Sequence, residues 1–495
     1  MTMVKNSILL FLMVTALGFL TSCTKTDLST PPEIINELSL PGKNPYIAEN
    51  LSLRKTSKVP TPRLGYEKNG ISLWYEDENE FELPKATLNI RLYSAQAYSS
   101  DAHYITLRLH SQIMKDLLSA ESYNAAQAGL YYYISSSVRS YNIGIQGYND
   151  KINVFLEKVL TVFNPSVVDE KVFNRIKQNY LQDLQNGNMA RPINQIFAAV
   201  SVEGNPVSLS RDAQIKALSD LTYANFLSIA QDLQSSMEIE GIFNGNVTQS
   251  DVNSIGSMLS DRLKPSLNPN NKLTFTETII PEGLERFREI SVDHNDSALF
   301  AMIQGDNDTD KETALYKLIV HMLRQRFYKS LRTDQQLGYI VQLSDYSYDR
   351  IPAMSFAIQS PKVHPATLVE RIDTFLIEQK DYFATLSAEE FAKNKDGLLS
   401  NINKSYDNVY TKGNGLNRQI INGELSFDNR KRRTQAINQI TLDELRTFYN
   451  KEITDTSRRW AAIWSIGQSH KNQPDYDPSK YDLCFKPKCI SKTTF

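Results

Sequence analysis

The sequence predicts an α+β protein of two tandem homologous α/β sandwich domains, each a mostly antiparallel sheet covered by helices. Two observations carry this prediction: an internal repeat, and the same order of strands and helices in both of its copies. The 495 residues are 41% hydrophobic and 22% charged, with a formal net charge of −2. This composition is too apolar for a disordered chain, and its near-neutral charge excludes a strongly basic nucleic-acid binder.

An export signal is predicted at the N-terminus, over residues 1–22. Lys5 is followed by an uncharged apolar stretch, Ile8–Leu20, which is shorter than a membrane-spanning helix and typical of a signal peptide. The stretch ends in Leu-Thr-Ser-Cys23, which resembles a bacterial lipobox, in which the cysteine is acylated and becomes the mature N-terminus. The alternative is an ordinary secretory signal with a chance cysteine.

Acylation of Cys23 would anchor the protein to a membrane surface by lipid rather than by a spanning helix. The polar, proline-containing residues 23–43 then serve as a tether. Thr24 follows the cysteine in place of an aspartate, which by analogy with enteric bacteria favours the outer membrane. We therefore predict a lipoprotein of the bacterial cell envelope that faces the periplasm.

The two other cysteines, Cys484 and Cys489, lie close together near the C-terminus. In an oxidising periplasm they could form a disulfide across a short Lys-Pro turn. A two-ligand metal site is the alternative, but the sequence places no second pair of Cys or His nearby. Three cysteines in 495 residues do not make a disulfide framework.

Three pairs of similar segments reveal the repeat, in the same order in both copies. They are residues 127–130 with 336–339, residues 169–184 with 387–402, and residues 217–231 with 436–450. Their starts lie 209, 218 and 219 residues apart, a slow drift that small loop insertions would produce.

Each repeat is expected to open with a strand, over residues 85–93 or 297–305, followed by a long helix. In the second repeat that helix has one apolar face, formed by Leu315, Leu318, Ile319, Met322, Leu323 and Phe327. A strand over residues 354–360 comes next, because apolar and small or polar residues alternate there.

Two further helices and a last strand complete each repeat. The first repeat has an apolar stripe of Ile152, Phe155, Leu156, Val159, Leu160 and Phe163. In the second, Ser387 with Glu390 and Thr441 with Glu444 are predicted capping boxes. The last strands are expected over residues 241–247 and 459–467. Residues 263–271, rich in asparagine and proline, are the predicted linker between a first domain of 44–262 and a second of 272–495.

No self-sufficient catalytic constellation occurs in the sequence. None of the six histidines stands four residues from another, so there is no H-E-x-x-H or H-x-x-E-H pair to hold zinc. A G-x-S-x-G elbow, a P-loop and a dinucleotide fingerprint are also missing. His321, in the apolar helix of the second repeat, is predicted to be a partly buried core residue.

One segment carries a candidate site, residues 330–341 (SLRTDQQLGYIV). Arg332 is expected at the end of a helix and Tyr339 at the start of a strand, with Gly338 allowing a turn or a close passage of the chain. A guanidinium and a phenol pointing into the same space would offer hydrogen bonds to a polarised carbonyl. The structural alternative is that Arg332 caps helix carbonyls and Tyr339 packs on a strand edge.

The aligned positions in the first repeat are Tyr123 and Leu130. The pair is therefore not required by the repeated fold, which favours a functional role.

The same segment resembles the R-T-x-x-Q-L-G-Y signature in the C-terminal half of the pitrilysin and insulin-degrading enzyme family of zinc metallopeptidases. Further segments resemble the third domain of that family: residues 44–47, 73–75, 81–89, 126–130, 147–151 and 245–246. The fourth domain is expected over about residues 272–480, so the resemblance covers nearly all of the mature chain.

The resemblance implies half of a pitrilysin-like clamshell around a peptide chamber. In this family the zinc and the glutamate base belong to the first half, so no cofactor is expected on this chain. By the same resemblance, Arg332 and Tyr339 stabilise the substrate carbonyl in the transition state. The chain goes from its own signal peptide directly to the second half, so it is expected to supply the chamber wall to a separately encoded zinc-bearing half.

Two other functions stay open from the sequence. One is a degenerate peptide-binding or scaffold lipoprotein with no role in hydrolysis. The other, an independently active peptidase, is disfavoured because nothing in the sequence lowers the pKa of a water molecule as bound zinc does.

Overall fold

A computed structural model describes residues 42–55, 61–77, 80–205, 207–265, 278–283, 285–348, 350–472, 482–484 and 492–493. The predicted lipidation site Cys23 and Cys489 lie outside this part, as do most of the predicted linker and the signal peptide. The described residues from Tyr46 onwards form one compact unit.

The first repeat contains a six-stranded sheet in the order β1-β2-β6-β3-β5-β4. Its strands are β1 (Arg63–Lys68), β2 (Ile71–Asp77), β3 (Lys85–Ser94), β4 (Tyr131–Ser136), β5 (Ser140–Tyr148) and β6 (Met237–Gly245). All neighbours are antiparallel except β2 and β6. The helices are α1 (Asp101–Leu117), α2 (Ser119–Gln127), α3 (Ile152–Phe163), α4 (Glu170–Asn186), α5 (Pro192–Glu203), α6 (Arg211–Asp220), α7 (Tyr223–Ser235) and α8 (Gln249–Leu263).

The second repeat builds a second six-stranded sheet in the order β10-β11-β9-β12-β8-β13. Its strands are β8 (Arg286–Glu289), β9 (Ser297–Gln304), β10 (Ile340–Tyr348), β11 (Ile351–Ser360), β12 (Arg459–Ser465) and β13 (Asp482–Cys484); β7 (Thr278–Ile279) pairs separately with β14 (Lys492–Thr493). The helices are α9 (Asp310–Phe327), α10 (Pro365–Thr385), α11 (Ala388–Ile402), α12 (Val409–Ile421), α13 (Asn429–Gln439) and α14 (Leu442–Phe448). Two π-helical segments, Tyr328–Asp334 and Tyr449–Ile453, follow α9 and α14.

The predicted fold class is confirmed, because both sheets are mostly antiparallel and covered by helices. The copies keep their register: α1 begins at Asp101 and α9 at Asp310, 209 residues later, and β4 and β10 begin at Tyr131 and Ile340, the same distance apart. The apolar stripes predicted on α3 and α9 are buried in the cores of their repeats.

The predicted capping boxes differ in outcome. Thr441 and Glu444 form the complete reciprocal pair at the start of α14. Ser387 caps α11 by accepting from the Glu390 backbone N–H. The Glu390 carboxylate, however, accepts from the Tyr382 hydroxyl at 3.1 Å instead of closing the box.

Each repeat also contributes one helix to the outer face of the other sheet. Helix α5 of the first repeat packs Ile193, Ile196, Ala199 and Val200 on β9, β11 and β12. Helix α12 of the second repeat packs Leu416 and Ile420 on Ile242 of β6. This reciprocal exchange joins the two repeats and places the N-terminus of α5 close to the end of β11.

No described helix is long and apolar enough to cross a membrane.

Candidate functional site

The chain leaves α9 through a π-helical segment that contains Arg332. The Gln335 backbone N–H donates to the Ser330 carbonyl at 3.0 Å, which closes a turn wider than that of an α-helix. Such π-turns occur mostly as single turns and often at functional sites. In this segment Leu331 is buried in the core, whereas Arg332 is only partly buried.

After the π-helical segment the chain turns at Gln336, whose φ of 53° lies in the left-handed region. Gly338 then passes close to β11, because a Cβ at this position would lie 1.9 Å from the Gln359 carbonyl oxygen. Of the two roles expected for this glycine, the structure shows the close passage rather than the turn.

The structure brings Arg332 and Tyr339 together. The Arg332 Cζ lies 5.6 Å from the centroid of the Tyr339 ring, within the range of a cation–π contact. Tyr339 is 82% exposed, whereas Arg332 is partly buried. The phenol therefore reaches into open space beside the guanidinium.

Neither of the structural roles considered from the sequence accounts for this pair. Within the described residues, the Arg332 guanidinium has no hydrogen-bond or ion-pair partner, and its Nε is buried without one. A buried polar group left unpaired costs about 1–3 kcal/mol. Tyr339 does not pack on the strand edge, since most of its side chain faces outward. Both side chains therefore keep unused hydrogen-bonding capacity.

The first repeat has a different surface at the aligned place. Tyr123 is 68% exposed on α2, but Leu130 is buried. Gly129, aligned with Gly338, adopts a left-handed φ of 75°, which Gly338 does not. The local backbone thus differs between the repeats where the candidate pair occurs.

Two residues that the sequence did not single out lie beside this segment at the end of β11, Gln359 and Ser360, and the Ser360 side chain bonds to it. The Gln359 side chain donates to Asp296 at 2.9 Å and accepts from the Ile193 backbone N–H of α5 at 3.4 Å. The Ser360 hydroxyl donates to the Leu337 carbonyl at 2.5 Å. Strand alternation marks these residues as the end of a strand, but gives no sign of what their side chains bind.

The described part of the chain contains no group of three or more His, Cys, Asp or Glu side chains that could hold a metal ion. His321 is partly buried on α9, and burial, together with the nearby Arg324, lowers its pKa.

The predicted cysteine sites are largely outside the described residues. Cys23 and Cys489 lie there, and of Cys484 only the backbone, in β13, is described. Lipidation and the disulfide therefore stay predictions.

Comparison with known proteins accounts for most of the chain. Residues 19–217 match the middle or third domain of peptidase M16, and residues 318–415 match a family described as "PQQ synthase PqqF-like, C-terminal lobe domain 4". Insulin-degrading enzyme from Homo sapiens is 26% identical over 437 residues, which are 86% of this chain and 43% of that enzyme. Together these matches support the insulinase-like M16 peptidase family, and a C-terminal half within it.

Solved M16 structures show the same fold. Pitrilysin superposes with a TM-score of 0.83 at 21% identity, over 92% of this chain and 49% of pitrilysin. A structure described as a peptidase M16 inactive domain, from Pseudomonas fluorescens, gives a TM-score of 0.60 at 12% identity, over 84% of this chain and 97% of that one. The chain spans less than half the length of the insulin-degrading enzyme that it matches.

Proposed function

We propose that this chain is the non-catalytic C-terminal half of a pitrilysin-like metallopeptidase. It would act together with a zinc-bearing half that belongs to a separate polypeptide chain. The observation that carries the proposal is the pairing of Arg332 with an exposed Tyr339 on a fold like that of pitrilysin. In this proposal, zinc and the water it activates belong to the partner half.

The proposed contribution of this chain is electrostatic. When a peptide carbonyl is attacked, its oxygen gains negative charge, and fixed donors aimed at that oxygen stabilise it. The Arg332 guanidinium supplies charged donors and the Tyr339 hydroxyl a neutral one. Loss of one such donor costs about 10²–10³ in kcat in a well-studied peptidase.

The test reconstitutes the complex with its zinc-bearing half and measures peptide hydrolysis. Arg332→Ala and Tyr339→Phe should each lower kcat by about 10²-fold with little change in KM. The matched controls are Arg326→Ala, an exposed arginine of α9 stacked on Tyr382, and Tyr131→Phe, an exposed tyrosine at the start of β4. Unaltered kinetics in Arg332→Ala would refute the proposed role.

A peptide-binding or scaffold protein without hydrolysis is the other outcome of this test. It predicts that no zinc-bearing half co-purifies with the chain and that no metal is found in the isolated complex.

We also propose that Cys23 is acylated and anchors the protein to the outer membrane, facing the periplasm. The lipobox-like ending of the apolar segment supports this proposal. Metabolic labelling with a fatty acid should label the wild-type protein and not Cys23→Ser, and equal labelling of the two would contradict it.

A further inference from the structure

The segment that carries Arg332 and Tyr339 packs Leu331 and Leu337 in the core of the second repeat and is hydrogen-bonded there by one buried hydroxyl. Ser360 is fully buried, and its Oγ donates to the Leu337 carbonyl at 2.5 Å. The same oxygen accepts from the Lys362 N–H at 3.1 Å and the Val363 N–H at 3.3 Å. One side chain thus joins the turn before Tyr339 to the loop between β11 and α10.

The loop between β11 and α10, to which Ser360 is hydrogen-bonded, is also hydrogen-bonded to His470. His470 Nε2 lies 3.2 Å from the Pro361 carbonyl, which can only accept, so the imidazole donates there. Its Nδ1 lies 2.8 Å from the hydroxyl of Ser297, the residue opposite Ser360 on β9. The Ser360 hydroxyl is therefore held by a rigid surrounding rather than by a free loop.

No other side-chain hydrogen bond joins this turn to another element within the described residues. Leu337 is buried, and its N–H closes back on the Leu331 carbonyl at 3.0 Å, inside the segment. Gly338 touches β11 only through backbone contact. The hydroxyl of Ser360 is the one side-chain bond that ties residues 335–339 to another element in the described structure.

The first repeat lacks this fastening. Tyr148 ends β5 opposite Lys85, as Ser360 ends β11 opposite Ser297. Its ring lies against Gly129, and a phenol at that place cannot insert a hydroxyl beneath the turn. Among the described residues, the hydroxyl clamp thus occurs only in the repeat that has the Arg332–Tyr339 pair.

We propose that Ser360 is a positioning residue for the reaction: its hydroxyl clamps the turn that aims Tyr339 and Arg332 at the substrate carbonyl. The role in hydrolysis rests on the proposed function, whereas the clamp itself is a property of this chain alone. Displacement of a reacting group by about 1 Å can cost about 10²-fold in rate, so loss of the clamp should act on turnover.

The first experiment uses the isolated full-length chain. Ser360→Ala removes the hydroxyl, and Ser360→Cys removes most of its hydrogen bonding while filling the space. The rate of trypsin cleavage after Arg332 is measured from the appearance of a fragment that begins at Thr333. Both variants should be cleaved at least about tenfold faster there, since local opening governs the rate when it is fast relative to cleavage.

The matched control is Ser355→Ala, a buried serine on the same strand whose hydroxyl bonds the Ser344 carbonyl of β10 instead of the turn. It should leave the cleavage rate after Arg332 unchanged. If Ser360→Ala does not fold, Ser360→Cys decides the question. Cleavage of Ser360→Cys at the wild-type rate would overturn the clamp.

The second experiment uses the reconstituted peptidase. Ser360→Cys should lower kcat by about 10-fold to 10²-fold with KM unchanged, and should add a smaller loss in the Tyr339→Phe background, where only the position of Arg332 is left to disturb. A full additional loss in that background would show that Ser360 doesn't act through Tyr339. If the complex shows no hydrolysis at all, the proposed function fails, while the trypsin result still tests the clamp.

Discussion

Glu203 of the first repeat and Arg288 of the second form a buried ion pair, with 2.6 Å between Oε1 and Nη1. Their side chains are 2% and 9% exposed. Glu203 stands in the last turn of α5, the helix that crosses onto the second sheet, and Arg288 lies on β8 of that sheet. A second pair mirrors it: Lys412 of α12 lies 3.1 Å from the buried Glu76 on β2. Each exchanged helix therefore forms an ion pair with the sheet of the other repeat.

Breaking the Glu203–Arg288 pair should strongly destabilise the protein. Glu203→Ala leaves the arginine charge buried without its partner, for which the expected loss is about 3–5 kcal/mol of unfolding free energy. The double variant Glu203→Leu/Arg288→Met should recover much of that loss, since both charges are gone. Urea-induced unfolding measures these differences.

An exposed pair provides the control for this prediction. Lys216 and Asp220 on α6 are also 2.6 Å apart but are 79% and 66% exposed. Lys216→Ala should cost no more than about 0.5 kcal/mol. Equal losses in Glu203→Ala and Lys216→Ala would show that the buried pair does not lock the repeats.

Gly338→Ala should disturb the candidate site directly. The added methyl would meet the Gln359 carbonyl oxygen at 1.9 Å, and neither backbone can move without shifting Tyr339 or β11. The expected cost is about 1–3 kcal/mol of stability, with a marked fall in kcat of the reconstituted peptidase. The control is Gly42→Ala, since no atom lies within 4 Å of a Cβ at that position. Gly423 is equally open, but its φ of 71° would strain an alanine there. Wild-type kcat in Gly338→Ala would contradict the close passage.

Local sequence patterns predicted much of the fold, because they report which face of each element is buried. The strand predicted over residues 297–305 is β9, Ser297–Gln304, and the apolar stripe from Ile152 to Phe163 spans α3. The exchange of α5 and α12 could not be predicted in this way. An apolar helix face shows that the helix is covered, but not which sheet covers it.

The candidate site shows the same limit. The signature around Arg332 and Tyr339 is continuous in sequence, so it could be found by reading along the chain. Ser360 supports that segment from 21 residues beyond Tyr339, and a serine at a strand end has no pattern that names its partner. The burial of Glu203 and Arg288 could not be predicted for the same reason, since it depends on the crossing of α5.

Arg332→Lys should retain only part of the activity of the reconstituted peptidase, although the charge is kept. The guanidinium is planar and presents several donors at fixed angles, whereas an ammonium is a compact point charge on a flexible stem. We expect kcat between those of Arg332→Ala and wild type, at least about tenfold below wild type. Arg326→Lys, on the exposed side of α9, should leave kcat unchanged. Full activity of Arg332→Lys would mean that charge alone, and not the fork of donors, is used.

Stability should fall in acid through His110, which lies fully buried on α1 beside Tyr141, with its Nδ1 3.1 Å from the tyrosine hydroxyl. Burial lowers the pKa of His110 from 6.5 to about 4. Because the folded state binds this proton less readily than the unfolded state, the stabilisation is complete above pH 6.5 and is lost as the pH falls towards 4. The shift corresponds to about 3 kcal/mol.

In His110→Phe this contribution is absent, so the unfolding free energy of wild type relative to the variant should decrease by up to that amount between pH 7 and pH 4. His364, whose pKa is also lowered to about 4 by burial, titrates in both proteins and cancels in the comparison. A difference independent of pH would show that His110 does not titrate as its burial requires.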